Sequence, residues 1–148
     1  MTNPAPSAGL SDLLCFAIYS ANLAYGRTYK PLLDELGLTY PQYIALVALY
    51  EEDAITVGRL GEKLFLESNT LTPLLKRLEA MGLVTRRRDP QDERQVRLSL
   101  TPEGRALREK TFGFWDRLVA SSGVTSAEAA RLRDEIAGVR DSLLAPGG

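Results

Sequence analysis

The most reactive side chain in this 148-residue sequence is the thiol of Cys15, the only cysteine. A single cysteine allows no intramolecular disulfide, and a chain without histidine lacks the usual ligands of structural zinc. We therefore expect no metal and no cofactor. The thiol has two interpretations. On an apolar helical face it is a small buried hydrophobe, and beside hydrogen-bond donors it is a nucleophile that peroxides oxidise.

Most of the tyrosines follow Cys15 closely in the sequence. Five of the six fall within residues 19–43, namely Tyr19, Tyr25, Tyr29, Tyr40 and Tyr43. Tyr19 lies one helical turn after Cys15. A phenol that donates a hydrogen bond to a thiolate favours the charged form, so these residues are candidates for raising the reactivity of Cys15 towards peroxide.

A second set of polar side chains lies on one predicted helix that ends at Gly82. Leucines and Met81 form its apolar stripe. Ser68 is its expected N-cap; otherwise Thr72 caps it and Pro73 takes the favoured first position. The polar and basic side chains on the face opposite this stripe are of the kind that binds phosphates and base edges when a helix lies in a major groove. We therefore expect DNA contacts from this helix. The candidates are Ser68, Asn69, Thr70, Thr72, Lys76 and Arg77.

A predicted β-hairpin follows, with strands over residues 83–88 and 95–100. Its connection contains the turn signal Asp89-Pro90. Arg94 is the residue best placed to enter a minor groove, and Asp92 can hold its guanidinium by a bidentate pair. Arg86, on the first strand, is a further candidate for DNA contact.

The charge distribution favours a nucleic-acid partner more than the net charge of −1 does. Residues 59–97 contain nine basic and six acidic side chains, a net +3, whereas the remainder contains nine basic and thirteen acidic side chains. A basic module on an acidic body directs one face towards phosphate.

The remaining elements position these groups. The residues at 10–36 and 102–144 have helical apolar spacing, with Pro31 expected to break or restart the first helix and Thr101 expected to start one that runs to about Ala120. Thr39 and Thr125 begin capping boxes, and Ile55 is expected to add a short third strand. The apolar seam from Ala129 to Leu143 suits packing on its own subunit and packing across a dimer equally well.

We therefore divide the chain into a loose arm over residues 1–9, a winged helix-turn-helix module over residues 38–101, and a tail over residues 145–148. The fold class is mainly α with a small β-wing. No apolar run suits a membrane span and the N-terminus lacks the layout of a secretory signal, so a cytoplasmic location is expected.

The segment 56–101 resembles the MarR family of winged-helix transcriptional regulators. The resemblance rests on Asp92-Glu93-Arg94 in the wing and on the run Leu-Thr-Pro-Glu-Gly at 100–104. It implies a homodimer formed through the N- and C-terminal helices, here residues 10–36 and 102–144. Two-fold symmetry would then match a pseudo-palindromic double-stranded operator, with half-sites about 34 Å apart.

Within that family the first part of the chain resembles the organic hydroperoxide sensors, the OhrR branch. The motifs are Leu-Cys-Phe at 14–16, Tyr-Lys-Pro-Leu-Leu-Asp at 29–34 and Leu-Thr-Tyr-Pro-Gln-Tyr at 38–43. The resemblance implies that Cys15 is the peroxidatic cysteine, that Tyr29 and Tyr40 donate hydrogen bonds to it from the partner subunit, and that Tyr19 lines the pocket. The apolar residues next to Cys15 in the sequence favour an organic peroxide over hydrogen peroxide as the oxidant.

This resemblance also implies the mechanism. Without a second cysteine, the oxidised Cys15 would form a mixed disulfide with a low-molecular-weight thiol, and the repressor would leave its operator. The main alternative is a MarR-type repressor released by a small phenolic or acidic ligand, with Cys15 structural. A thiol peroxidase is disfavoured because no histidine assists the thiol, so we expect no enzyme. A purely architectural DNA binder would leave the tyrosines unexplained.

Overall fold

The computed structural model describes residues 9–147. They form two compact units, and the division lies between Phe112 and Gly113. The predicted N-terminal arm, apart from Gly9, lies outside the described residues. None of the helices within residues 9–147 is both long and apolar enough to cross a bilayer.

The first unit contains a short 3-10 turn, five α-helices and a three-stranded sheet. In chain order they are the 3-10 turn Leu10–Asp12, α1 (Leu14–Asp34), α2 (Tyr40–Glu51), β1 (Ile55–Thr56), α3 (Val57–Leu64), α4 (Ser68–Ala80), β2 (Val84–Arg88), β3 (Val96–Leu100) and α5 (Pro102–Lys110). The helix pair α3–α4 followed by the hairpin β2–β3 is the predicted winged helix-turn-helix. We call residues 84–100 the wing.

Threonine N-caps set three of the helix starts in the first unit. The Thr39 hydroxyl accepts from the backbone N–H of Gln42, and the side-chain oxygen of Gln42 accepts from the backbone N–H of Thr39. The predicted capping box is therefore present. Thr56 caps α3, and Thr101 caps α5 by accepting from the N–H of Gly104 at 3.0 Å. Each cap satisfies an N–H that the helix itself leaves unpaired.

The sheet has the order β1-β3-β2, with both pairs antiparallel. Ile55 and Arg86 both lie opposite Leu98, so the predicted third strand exists and β3 is central. Val84, Leu98 and Leu100 point to the buried face.

The core of the first unit is built from leucines of four helices and the inner face of the sheet. Burial of this apolar surface is the main force that fixes α3 and α4 against each other and against the wing. Its most buried large side chains are Leu46, Leu49, Leu60, Leu71, Leu75, Leu78, Val84 and Leu98.

The second unit contains α6 (Phe114–Ser122) and α7 (Ser126–Leu144). Thr125 caps α7 by accepting from the N–H of Glu128, as the sequence predicts, but the Glu128 carboxylate accepts from the Thr125 hydroxyl and does not complete the predicted capping box. Along α7 no side chain is buried, and Leu132, Ile136, Val139 and Leu143 of the apolar seam are all exposed.

Three predicted helix boundaries are wrong. Pro31 lies inside α1, because the loss of one backbone hydrogen bond is offset by burial of Leu33 in the next turn. The regular helix also begins at Leu14 rather than Leu10. The helix that starts after Thr101 ends at Lys110, since Gly113 takes a left-handed conformation (φ 88°) and α6 begins after it.

The start of α4 also differs from the prediction. The residue at the N-cap is Glu67, which has no side-chain capping bond, while Ser68 is already helical. The carbonyl of Glu67 accepts from the N–H groups of Thr70 and Leu71, both at 3.0 Å. Pro73 therefore lies inside the helix, and Thr72 donates its hydroxyl to the carbonyl of Ser68 at 2.8 Å instead of acting as a cap. Met81, expected in the apolar stripe, follows the helix and is exposed.

Candidate functional site: a nucleic-acid interface and a thiol

The polar face of α4 is exposed along its length. The side chains predicted to contact DNA, Ser68, Asn69, Thr70, Thr72, Lys76 and Arg77, are all on the solvent side. Leu71, Leu75 and Leu78 hold the opposite face in the core. The helix therefore presents donors and positive charge outward on a rigid support.

A groove with a volume of about 410 Å³ separates the start of α4 from the wing. Ser68 and Thr72 line it from the helix, and Arg86, Arg94 and Gln95 line it from the wing. The fold thus brings together two groups of candidate residues that lie about twenty positions apart in sequence.

The wing tip carries a largely exposed cation. The Arg94 side chain is 90% exposed, and its Nε donates to Asp92 Oδ1 at 3.1 Å while Nη2 lies 3.5 Å from Oδ2. Asp92 Oδ1 also accepts from the backbone N–H of Arg94. The predicted bidentate contact is present, so Asp92 limits the orientations that Arg94 can take.

Arg86 is held by the protein. Its guanidinium forms an ion pair with Glu79 on α4 at 3.2 Å, and its side chain is only 29% exposed. Glu79, which is not among the predicted site residues, therefore connects α4 to β2. The pairing signal is weak in sequence because the two residues are on different elements.

The turn before Arg94 is built around a buried carboxylate. Asp89 is 6% exposed and accepts from the backbone N–H of Gln91 and from Arg97 Nε, both at 2.8 Å. These two hydrogen bonds, first the one from Gln91, hold the pKa of Asp89 below its ordinary value. Asp89 thus remains an anion that closes the turn.

Cys15 is the second residue of α1 and is exposed. Its neighbours on the helix surface include Leu14 and Tyr19, which are also largely exposed, and the Phe16 and Tyr19 rings are 6.5 Å apart. Within its own chain the thiol is therefore not a buried hydrophobe.

The other tyrosines form a compact cluster where α1 meets α2. The ring centroids of Tyr29 and Tyr40 are 5.0 Å apart, and Tyr43 lies 5.7 Å from Tyr29 and 6.4 Å from Tyr40. Burial, with added repulsion from neighbouring phenols, raises the pKa of Tyr29, and burial raises the pKa of Tyr40 and Tyr43. All three are therefore neutral O–H donors at physiological pH. Tyr43 is not among the donors that the family resemblance implies, although its i, i+3 spacing from Tyr40 was a usable signal.

Helix geometry separates this cluster from Cys15 of the same chain. Tyr29 follows Cys15 by fourteen residues on α1. At a rise of about 1.5 Å per residue these residues are about 21 Å apart along the helix axis. A phenol of the cluster does not reach the thiol of its own chain.

Comparison with known proteins shows which family the chain belongs to. The transcriptional regulator SarA/Rot family matches residues 27–111. The chain is 48% identical to the HTH-type transcriptional regulator TtmR of Methylorubrum extorquens over 94% of this chain and 71% of that protein. It is 40% identical to the organic hydroperoxide resistance transcriptional regulator of Bacillus subtilis, over 97% of both chains.

The chain belongs to the MarR-type winged-helix transcriptional regulators. Among solved structures, reduced AbfR of Staphylococcus epidermidis bound to DNA superposes on it with a TM-score of 0.76 at 36% identity, covering 91% of this chain and 94% of that one. The family and the fold class predicted from the sequence are confirmed. In this MarR-type regulator α4 corresponds to the recognition helix and β2–β3 to the wing.

Proposed function

We propose that this regulator is a homodimeric repressor that leaves its operator when an organic hydroperoxide oxidises Cys15. One observation carries the proposal: an exposed thiol and a cluster of neutral phenols occupy opposite ends of α1, so a second copy of the chain is needed to bring them together. The full-length similarity to a Bacillus subtilis organic hydroperoxide resistance regulator supports the choice of effector.

The DNA-binding half of the proposal rests on α4 and the wing. The exposed polar face of α4 suits a major groove, and Arg94 at the wing tip suits the adjacent minor groove. Asn69, Thr70, Lys76 and Arg77 have hydrogen-bond donors for phosphates and base edges. Ser68 and Thr72 face the groove that the wing encloses.

The dimer half rests on apolar surface that the single chain leaves uncovered. On α7, Leu132 and Ile136 are 45% and 44% exposed, one helical turn apart. On α1, Leu14, Tyr19 and Leu23 are exposed. Runs of this kind mark protein interfaces, and burial against a partner copy would be favourable. The partner's cluster would then lie near Cys15.

The proposed chemistry begins with attack of the Cys15 thiolate on the distal oxygen of the peroxide. An S–O bond forms, the O–O bond breaks, and the leaving alkoxide takes up the proton that the thiol released on ionising. The distal OH stays on sulfur as sulfenic acid, so cysteine is oxidised and the peroxide is reduced to an alcohol. A low-molecular-weight thiol then forms an S–S bond with the sulfenic sulfur and water leaves. The regulator consumes one peroxide per thiol as a sensor rather than turning over as a catalyst.

Release follows from crowding around the modified sulfur. Tyr29 and Tyr40 are packed with their rings 5.0 Å apart, which leaves little space for a mixed disulfide beside them. Accommodating it would shift the elements that carry the tyrosines, and with them the spacing between the two recognition helices. Repression would end because both modules no longer fit successive grooves.

The decisive experiment measures operator retention by fluorescence anisotropy. The operator is first selected from a random-sequence duplex pool with the reduced protein. Cumene hydroperoxide with a small thiol should weaken binding of the wild-type protein by at least about tenfold. The Cys15→Ser variant should stay bound.

The controls separate the alternatives. Hydrogen peroxide at the same concentration should act more slowly than cumene hydroperoxide. The organic group of cumene hydroperoxide can bind against the apolar side chains near Cys15, which hydrogen peroxide cannot do. Equal release of Cys15→Ser would refute the sensor. Release of both proteins by a phenolic acid, without peroxide, would establish the ligand-controlled repressor instead.

A further inference from the structure

Arg97 lies within the basic module, yet its guanidinium is engaged by the protein. Its Nε donates to Asp89 Oδ2 and its Nη1 donates to the carbonyl oxygen of Ala54, each at 2.8 Å. The first acceptor is in the wing turn and the second is 43 residues earlier in the chain, before β1. One side chain therefore connects the wing turn to the body of the module.

The wing end of this connection controls the conformation of the turn. Asp89 accepts from the backbone N–H of Gln91 through Oδ1, and its own N–H donates to the carbonyl of Gln95 at 2.9 Å. These bonds close the loop from which Arg94 projects. Since Asp89 is buried, removing its partner would leave a poorly solvated anion.

The body end is also fixed. Ala54 has a left-handed backbone (φ 56°), a conformation that is unfavourable for alanine. Asp53 stabilises it by accepting from the N–H of Ala54 at 2.8 Å and from the N–H of Leu100 at 3.0 Å, both through Oδ1. Its Oδ2 pairs with Arg105 of α5. The carbonyl that Arg97 uses is thus held against β3 and α5.

We propose that Arg97 and Asp89 are positioning residues, which set the wing turn so that Arg94 is presented to the minor groove, and that Arg97 does not itself bind DNA. This inference rests on the proposed DNA-binding function. Arg94 and Arg97 therefore have different roles despite their identical charge. Arg94 is 90% exposed and its guanidinium bonds to Asp92 of the same tip, whereas the guanidinium of Arg97 donates to two acceptors in different parts of the chain.

A double-mutant cycle separates positioning from direct contact. Arg97→Lys keeps the positive charge but loses the fork that reaches two acceptors at once. In the wild-type background it should weaken binding to the selected operator by about tenfold, the effect of one lost charge-assisted hydrogen bond. In the Arg94→Ala background the same substitution should change affinity by less than about twofold, because the residue being positioned is already gone. Equal losses in both backgrounds would overturn the proposal.

A matched control lies directly across the hairpin. Arg87 pairs with Arg97 in the antiparallel register and is exposed. Arg87→Lys alters the same chemistry on the neighbouring strand, and it should change affinity by less than about twofold in either background. A loss as large as that of Arg97→Lys would show that any change of arginine on this ribbon weakens binding, and would refute the specific role of Arg97.

A measurement without DNA distinguishes failure of this inference from failure of the proposed function. Amide hydrogen exchange of residues 89–95 should be faster in Arg97→Lys and in Asp89→Asn than in the wild type, with exchange in α4 unchanged. Unchanged exchange in the turn would overturn the positioning role even if operator binding is confirmed. Faster exchange together with an Arg94→Ala variant that binds normally would instead refute the wing's part in the proposed function.

Discussion

Gly104 is the position at which the smallest substitution should have the largest structural effect. It lies in the first turn of α5, buried against the residue that precedes β2. A Cβ added there would lie 2.2 Å from the carbonyl oxygen of Leu83 and 3.3 Å from Leu100 Cδ2. The same carbonyl accepts from the N–H of Thr101 at 3.1 Å, so it has little freedom to move.

The cost of Gly104→Ala follows from this geometry. The start of α5 must move away from Leu83 by roughly 1 Å, a strain of the kind that costs about 3 kcal/mol in a packed core. The gain in helix propensity offsets about 1 kcal/mol of this. The net loss of about 2 kcal/mol should lower the melting temperature by about 6 °C in a chain of this size. The move would also stretch the bond from Tyr50 Oη to the carbonyl of Gly104, now 2.8 Å.

Thermal and urea unfolding, followed by circular dichroism at one fixed protein concentration, measures this loss. Gly58→Ala is the control in the same unit, because among residues 9–147, outside its chain neighbours and its own helix backbone, the nearest atom to its added Cβ is Thr56 Oγ1 at 4.0 Å. We expect Gly58→Ala to be neutral or stabilising by up to about 1 kcal/mol. If Gly104→Ala unfolds within about 0.5 kcal/mol of the wild type, the close contact is not a constraint and the reasoning fails.

Three further predictions concern a cap, the wing and the phenols. Thr56→Ala should cost about 1 kcal/mol, because it removes the acceptor of the Arg59 N–H at 3.0 Å; urea unfolding checks this, with Thr56→Ser as the control that should retain most of the stability. Arg94→Ala should weaken operator binding at least about tenfold in anisotropy titrations and lower the salt dependence of binding; unchanged affinity would remove the wing from the interface. The raised pKa values of Tyr29, Tyr40 and Tyr43 mean that the unfolded chain loses phenolic protons first, so stability should fall as pH rises above the ordinary value of 10.0. Phenolate absorbance that appears fully at pH 10 in the folded protein would contradict the burial of the cluster.

Local hydrogen-bonding rules explain why most of the fold was predictable from the sequence. A threonine directly before a run with helical apolar spacing is a short-range signal for an N-cap. It marks the starts of α2, α3 and α5 correctly. Alternation of apolar residues likewise places Val96 to Leu100 as a half-buried strand. The errors lie where tertiary packing overrides a local preference, as at Pro31 and at the start of α4.

The contacts that join different elements of the site were beyond such rules. The ion pair between Arg86 and Glu79 joins a strand to a helix. The hydrogen bond from Arg97 to the carbonyl of Ala54 joins residues that are 43 positions apart. Each depends on a register and a side-chain direction that exist only after folding. From sequence, Arg86 and Arg94 are both candidates for DNA contact, and Arg97 is one more cation on the same ribbon. The structure gives each a different partner, and the exposed fraction of the side chain falls from 90% for Arg94 to 46% for Arg97 and 29% for Arg86.

The separation of thiol and phenols has a consequence for how the sensor must work. A donor about 21 Å away along α1 cannot stabilise the thiolate of its own chain, so the proposed activation of Cys15 depends on contact between two copies. The apolar surfaces of α1 and α7 that would make this contact are exposed in the single chain. Dimerisation would then serve two purposes at once, since the same association that sets the distance between recognition helices also completes the site of oxidation. Modification of Cys15 at that junction would act directly on the geometry that DNA binding requires.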